Sequence, residues 1–401
     1  MIRTFLFFSW SAFVMGADLS LDGIAARVRN HNPVLKAARL AVDEARGRQL
    51  GSGRLPNPTF ESSFQNESRV SPSVLQFGLD QSFPITNRLK LEKQLSRELV
   101  AAAELEVRDV ERRLIAEARE GAVRIAAIDQ QRILRQQQRE IARKLSEFAK
   151  GRAEKGELSP LDAGQAQVDA QRLMLEMKKL ETQRTGLVGA LKPMLGISPH
   201  DSLVIRGGLP AMVMPVAAAW RTRADLQLAQ TKIIAAETAA DLAKSKRLQD
   251  VSAGFFSAQE LQDQSNGQRE RTGFVGFRVS IPLPFWNRNE GEIAGMKAAA
   301  ERERLSAEAL GQQIAGEADT ARREMLANAD LVRETRDELL PLVIAQTEKL
   351  ESAYEAGQSD LLVLLRARDQ RLQLEAAVID ALRDFHLAKV RFEAAIGTPQ
   401  P

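Results

Sequence analysis

Apolar residues follow two different periods along this chain. Residues 87–159 hold no proline, and Val107, Val110, Leu114, Ala118, Gly121, Ile125 and Ile128 step by three and four, the spacing of a helix seam. The seam is narrow and rich in small residues, as where helices pack closely side by side, while Glu, Arg and Gln fill the other faces. A second stretch, 289–356, reads as helix former throughout, and Pro341 predicts a kink in it rather than an end. Helices of this length would be on the order of 100 Å long at about 1.5 Å per residue, too long for one compact globule. The first stops at Gly151 or, at the latest, at Gly156, the second at Gly357, and a returning helix follows each, at 158–195 and 360–396. The spacing also predicts a short amphipathic helix over 19–30 and a second one starting at Pro33.

Elsewhere the period drops to two. Phe60, Ser62 and Phe64 share one face of a predicted strand; Leu75, Phe77, Leu79 and Phe83 alternate with Gln76, Gly78, Asp80 and Ser82. Val275, Phe277, Val279 and Ile281 alternate with Phe274, Gly276, Arg278 and Ser280, after a weaker strand near 251–259. Strands of about ten residues suit a tilted crossing of a bilayer. Twelve of the 16 Phe lie beyond residue 17, and nine of those (Phe60, Phe64, Phe77, Phe83, Phe255, Phe256, Phe274, Phe277 and Phe285) fall in or beside these four strands, with Trp286 next to them. The core of a soluble hairpin could hold a few; nine favour a lipid-facing band with interfacial rings. Leu75, Phe77, Leu79, Val275, Phe277 and Val279 are then expected to face lipid, with Asp80 and Arg278 lining a lumen. Polar loops at 67–73 and 260–271 suit an aqueous surface.

The chain is a tandem duplication. Gly156 and Gly357 lie 201 positions apart, as do Gly196 and Gly397, and Leu35, Ala38, Val42 and Ala45 match Leu226, Ala229, Ile233 and Ala236 at an offset of 191. The expected divisions are a leader at 1–17, a first repeat at 18–195, a linker at 196–220, a second repeat at 221–397 and a tail at 398–401. Four strands cannot close a barrel, and an open edge in lipid would leave backbone groups unpaired at several kcal/mol each, so the chain must oligomerise. Two copies would give eight strands and three would give twelve, and either number satisfies closure.

Composition agrees with long helices: 27% charged and 5% aromatic residues among 401. The formal charge of +3 becomes +2 if Arg3 leaves with the leader, and basic and acidic residues interleave, which argues against a nucleic-acid partner. Arg3, the apolar run 5–14 and Met15-Gly16-Ala17 read as a cleavable export signal with the mature chain starting near Asp18. A short membrane anchor is the alternative, although the run is shorter than the roughly 20 residues a span needs. Absence of cysteine excludes disulfides, thiolate metal sites and lipid attachment at an N-terminal cysteine. His31, His200 and His386 are far apart with no nucleophile or ligand spacing around them, so neither an enzyme, a cofactor site nor a metal site is expected.

Two strands, a very long helix, a glycine turn and a returning helix, all duplicated behind a leader, resemble the TolC family of outer-membrane efflux and secretion channels. The resemblance covers essentially the whole mature chain. Its most specific parts are the two helix-to-glycine tips (148–161 and 354–362) and the strand exit 280–292, which looks most like the heavy-metal-efflux branch. The resemblance implies a mainly α protein with a small β part: a homotrimer whose twelve strands form one outer-membrane barrel and whose helical hairpins form a coiled-coil tunnel in the periplasm. It also implies partners, a periplasmic adaptor and an inner-membrane pump, with the tip residues Gly156, Glu157, Gly357, Gln358, Ser359 and Asp360 as the docking surface for the adaptor. Relatives carry two acidic residues six and nine positions after the second tip glycine; here Val363 and Arg366 stand there, with Asp162 as the six-position match in the first repeat. An acidic ring at the tunnel mouth is therefore in question. Three roles stay open: a passive efflux duct for small molecules or metal ions, the outer-membrane duct of type I protein secretion, and a periplasmic coiled-coil adaptor.

Overall fold

A computed structural model describes residues 17–66, 73–215, 223–263 and 269–397. The expected leader, apart from Ala17, and the tail 398–401 lie outside the described residues, as do 67–72 of the first polar loop and 216–220 of the linker. The chain is mainly α-helical with a small β part, and it divides into two compact units. One is built from residues up to 38, from 108–223 and from 312 onward; the other from 39–107 and 224–311.

In the first unit, β1 (Ala17–Ser20) pairs in parallel with β4 (Leu203–Arg206), and α1 spans Gly23–His31. This corrects the expected helix over 19–30: Leu19 pairs with Ile205 in a strand, and the linker expected at 196–220 supplies the partner. Parallel pairing across so many residues leaves no local trace in so short a strand. The unit also holds most of α3 (Arg88–Glu154), all of α4 (Pro160–Met194) and α8 (Leu361–Ile396), and the end of the second long helix. That helix is α6 (Glu290–Arg333), a π-helical turn at Glu334–Leu339 and α7 (Leu340–Glu355). The disturbance expected as a kink at Pro341 thus falls on the turn before it. Proline has no N–H to donate, and its ring crowds the carbonyl four residues back; widening that turn relieves both.

Burial along α3 is wider than the predicted seam. Ala118, Ile125 and Ile128 are buried as expected, but so are Ile115, Ala122, Val123, Ala126 and Ala127. The reason is that α3 is packed from two sides. Ile115, Ala118, Ala122 and Ile125 meet α1, α4 and the β1–β4 pair, while Val123, Ala126 and Ala127 meet Leu209 and Leu387.

The two returning helices end alike. Gly196 and Gly397 have φ of 62° and 67°, and the carbonyls of Met194 and Ala395, 201 positions apart, accept from Asn32 Nδ2 at 2.7 Å and Arg223 Nη1 at 3.1 Å, donors 191 positions apart. Both donors are buried, so each helix end has its free carbonyls satisfied from inside the fold. A Cβ on Gly196 would collide with the backbone of His31, whereas one on Gly156, at φ 75°, would meet nothing. Gly196→Ala is therefore expected to cost more than the roughly 1–2 kcal/mol of left-handed strain, and Gly156→Ala no more than that strain. Denaturant midpoints of the two variants in detergent check this.

His386 ties the segment after β4 to α8. Its Nε2 lies 2.9 Å from the Pro210 carbonyl oxygen and its ring packs edge-on against Phe385. Burial holds its pKa below the ordinary 6.5, the Pro210 carbonyl opposes this, and Lys389 adds to it. With the folded pKa below the unfolded one, the unfolded chain binds more protons, so this contribution is present above about pH 6.5 and is lost as pH falls below it. His386→Gln, which can still donate to Pro210, is expected to flatten the fall of the melting midpoint below that pH.

The second unit contains α2 (Pro33–Gly51, from residue 39), α5 (Ala224–Ser245), the starts of α3 and α6, and a four-stranded antiparallel sheet. On α2 the predicted Val42 and Ala45 are buried; on α5 Leu226 is, but the burial then moves to Ala235, Thr238 and Leu242 in place of Ile233 and Ala236. The Thr238 hydroxyl donates to Glu98 on α3 at 3.1 Å, which turns this face inward. The sheet runs β2 (Thr59–Gln65), β3 (Ser73–Phe83), β5 (Val251–Asp263), β6 (Arg269–Ser280), in that order. The second loop expected at 260–271 is shorter, because β5 and β6 continue their ladder into it.

Candidate functional sites at the helix tips and the sheet

Both tips are built by the same hydrogen bonds. At the first, the N–H of Glu157 donates to the Arg152 carbonyl at 2.9 Å and that of Gly156 to Ala153 at 3.0 Å; at the second, Gln358 donates to Ala353 at 2.8 Å and Gly357 to Tyr354 at 3.0 Å. This is the Schellman arrangement, which needs a left-handed residue after the helix; Gly156 and Gly357 supply it at φ 75° and 74°. The returning helices then start on equivalent caps. The Ser159 hydroxyl accepts from the Leu161 N–H at 3.2 Å and the Asp360 carboxylate from Leu362 at 3.3 Å. Glu157, Gln358 and Asp360 are exposed and Ser359 is half-buried.

Apolar packing joins the two tips. Leu145 and Ala149 of α3, Ala166 of α4, Tyr354 of α7, and Leu361 and Leu364 of α8 form one buried cluster. Sequence reasoning passed over Tyr354 as a functional group, although it is the single tyrosine of the chain and stands three residues before Gly357. Its ring meets Phe148 edge-on at 6.3 Å, and its hydroxyl is buried without a hydrogen-bond partner. Such a group costs about 1–3 kcal/mol. Burial raises the phenol's pKa; Arg152 lowers it, and Asp360 and Asp162 raise it further, which places all three charges around the ring. Asp162 is half-buried in the first turn of α4.

Val363 and Arg366 lie on the exposed face of α8, and Arg366 makes no ion pair among the described residues. It helps line a groove of about 800 Å³ together with Ile141, Leu145, Arg172, Glu351 and Asp369. Among the described residues no group of three His, Asp or Glu is placed to hold a metal ion.

The sheet register sorts the predicted strand residues onto two faces. Phe60, Leu79, Phe255 and Phe277 lie in one row across all four strands, and Phe77 with Val275, then Leu75, then Val279, continue that face. It is exposed along much of its length, Phe277 by 84%. On the other face Asp80, Gly254 and Arg278 form a row. Gly254 has no side chain to stand between its neighbours, so Asp80 leans over it, and Arg278 lies 4.0 Å from Asp80 and 3.6 Å from Glu61.

Two of the nine phenylalanines expected in a lipid band belong to this charged face. Phe256 covers Gly276, whose Cβ would lie 2.6 Å from the ring; it also receives Arg278 at 5.5 Å over its face and Phe274 on its edge. The glycines opposite Phe256 and Asp80 were the available signal, but they have meaning only once the register is known.

No protein-family model matches the chain, and no curated protein matches it in sequence. Solved structures do. The outer-membrane channel OprN superimposes with a TM-score of 0.81 at 19% identity, covering 95% of this chain and 91% of that one. CusC, described in terms of transmembrane channel formation, gives 0.78 at 15%, over 94% and 92%. The outer membrane protein VceC of Vibrio cholerae gives 0.76 at 17%, over 94% and 96%. The chain therefore has the fold of these outer-membrane channels over nearly its whole length.

Proposed function

We propose that this protein is the outer-membrane channel of a tripartite efflux system, a passive exit duct for small molecules or metal ions that an inner-membrane pump expels. One observation carries the reading: a sheet of only four strands exposes a continuous apolar face, and the outer edges of β2 and β6 pair with no further strand among the described residues. Lipid would cover that face, but it would also demand partners for the open edges, since unpaired backbone groups in hydrocarbon cost several kcal/mol each. Copies of the same sheet supply them. In this reading three chains form a twelve-stranded barrel, with Leu75, Phe77, Leu79, Val275, Phe277 and Val279 on lipid and Asp80 and Arg278 in the lumen. The family resemblance of the sequence implies the choice of three, the fold matches that of outer-membrane channels, and no helix among the described residues is long and apolar enough to cross a membrane itself.

The helical hairpins then belong to the periplasm, after export of the chain and removal of its leader near Asp18. Their tips, Gly156-Glu157 and Gly357-Gln358-Ser359-Asp360, meet the adaptor. Metal ions are the cargo favoured by the strand exit 280–292, and they pass as cargo, without a resident site. The mass of the detergent-solubilised protein tests the assembly: a trimer is expected, and a monomer would sink the reading. Expression in cells lacking their own channel should restore resistance to pump substrates; co-purification with a protein-exporting pump would overturn the efflux part.

A further inference from the structure

All four passages between helix and strand lie at one end of the sheet: 52–58 before β2, 84–87 after β3, 246–250 before β5 and 281–289 after β6. Each holds a large apolar side chain turned out to solvent, Leu55, Ile85, Leu248 and Trp286, the last 95% exposed. Three of them also hold an exposed arginine close by, Arg54, Arg247 and Arg288, none with an ion pair among the described residues. Lys246 is a fourth cation, paired with Glu292 of α6 at 3.4 Å. The one carboxylate in these passages, Asp250, is occupied by Arg88 at 2.6 Å.

The turn that carries the most exposed ring is held in place. Around Trp286, the N–H of Phe285 donates to the Leu283 carbonyl at 2.9 Å, and that of Asn289 to the Asn287 side chain at 2.9 Å. Asn289, left-handed at φ 60°, donates its amide to the Ala243 carbonyl at 3.0 Å, fastening the turn to the end of α5. Phe285 sits beside Trp286 with ring centres 6.0 Å apart. A pinned, solvent-facing pair of aromatic rings beside free guanidinium groups has the chemistry of a membrane interface: rings at the headgroup level, cations on phosphate. The collar is also continuous, through Phe83 and Ile281, with the apolar face of the sheet.

We infer that this collar binds anionic phospholipid, with Trp286 and Phe285 at the interface and Arg54, Arg247 and Arg288 on the headgroup phosphates. The inference rests on the channel reading above, in which this end of the sheet is the periplasmic rim of the barrel. It assigns the collar a preference for phosphatidylglycerol over phosphatidylcholine.

The full chain, reconstituted in phosphatidylcholine vesicles with and without phosphatidylglycerol, provides the test. The difference in fluorescence between the wild type and Trp286→Phe isolates that ring. Lipids brominated near the headgroup should quench it more than lipids brominated near the chain ends. Stronger quenching by the deep bromines, or none at all, overturns the collar. Phe277→Trp separates the two readings: if neither ring is quenched the sheet is not in a bilayer and the channel reading fails, whereas quenching at position 277 alone removes only the collar. Lipid retained on purified protein supplies the charge test. Replacing Arg54, Arg247 and Arg288 together by Gln, at exposed and unpaired positions, should lower phosphatidylglycerol enrichment by about fivefold per arginine with trimer yield unchanged. Unchanged enrichment overturns the assignment to anionic lipid.

Discussion

Gly357→Trp is expected to abolish efflux in cells while leaving trimer yield close to wild type. A Cβ built on Gly357 meets nothing within 4 Å, so the position is open at the root of the new side chain. The backbone adds a cost: φ is 74°, and a residue with a Cβ pays roughly 1–2 kcal/mol there. The four-stranded sheet belongs to the other compact unit, and substitutions that share no partners act independently. What the bulk would obstruct is an approaching partner. Gly357→Asn is the control, since asparagine tolerates left-handed backbone and stays short. Loss of efflux in Trp but not Asn supports docking at the tips. Equal loss in both assigns the effect to the turn, loss of trimer assigns it to folding, and full resistance with Trp removes the docking proposal.

The second large effect is expected at the sheet. Phe277→Arg should destabilise the assembled channel by roughly 2–4 kcal/mol if the position lies near the bilayer midplane, read as a lower unfolding midpoint in reconstituted lipid. Phe277 is 84% exposed and packs only edgewise on Phe255, with ring centres 5.6 Å apart, so little internal packing is lost. Its neighbour Arg278 points to the charged face beside Glu61 and Asp80, where its half-exposed pairs contribute at most about 1 kcal/mol. Arg278→Ser should therefore be mild, with a small loss from two carboxylates left without their cation. Equal effects at 277 and 278 would mean that the faces are exchanged.

Most of the elements and their rhythm are legible in the order of residues. A period near 3.6 sustained without proline can only be long helix, strict alternation can only be a two-faced strand, and a glycine at the end of such a helix marks a left-handed stop. Gly156, Gly196, Gly357 and Gly397 all have left-handed φ because each helix end places the same local demand on its backbone. The alternating face of Phe77 and Phe277 was legible for the same reason, since side-chain direction in a strand follows from period two alone.

Which residues meet across the chain follows from long-range packing. The pairing of β1 with β4 joins residues nearly two hundred positions apart, and four residues carry too little periodicity to announce it. The burial of Tyr354 depends on four helix ends converging, and the wide burial of α3 on its being packed from two sides. Phe256, read from composition as one more lipid-band ring, covers Gly276 on the charged face because the cross-strand register sets those two opposite each other. Local pattern fixes the direction in which a side chain points, whereas the identity of its neighbour depends on contacts that close only when the whole chain has folded.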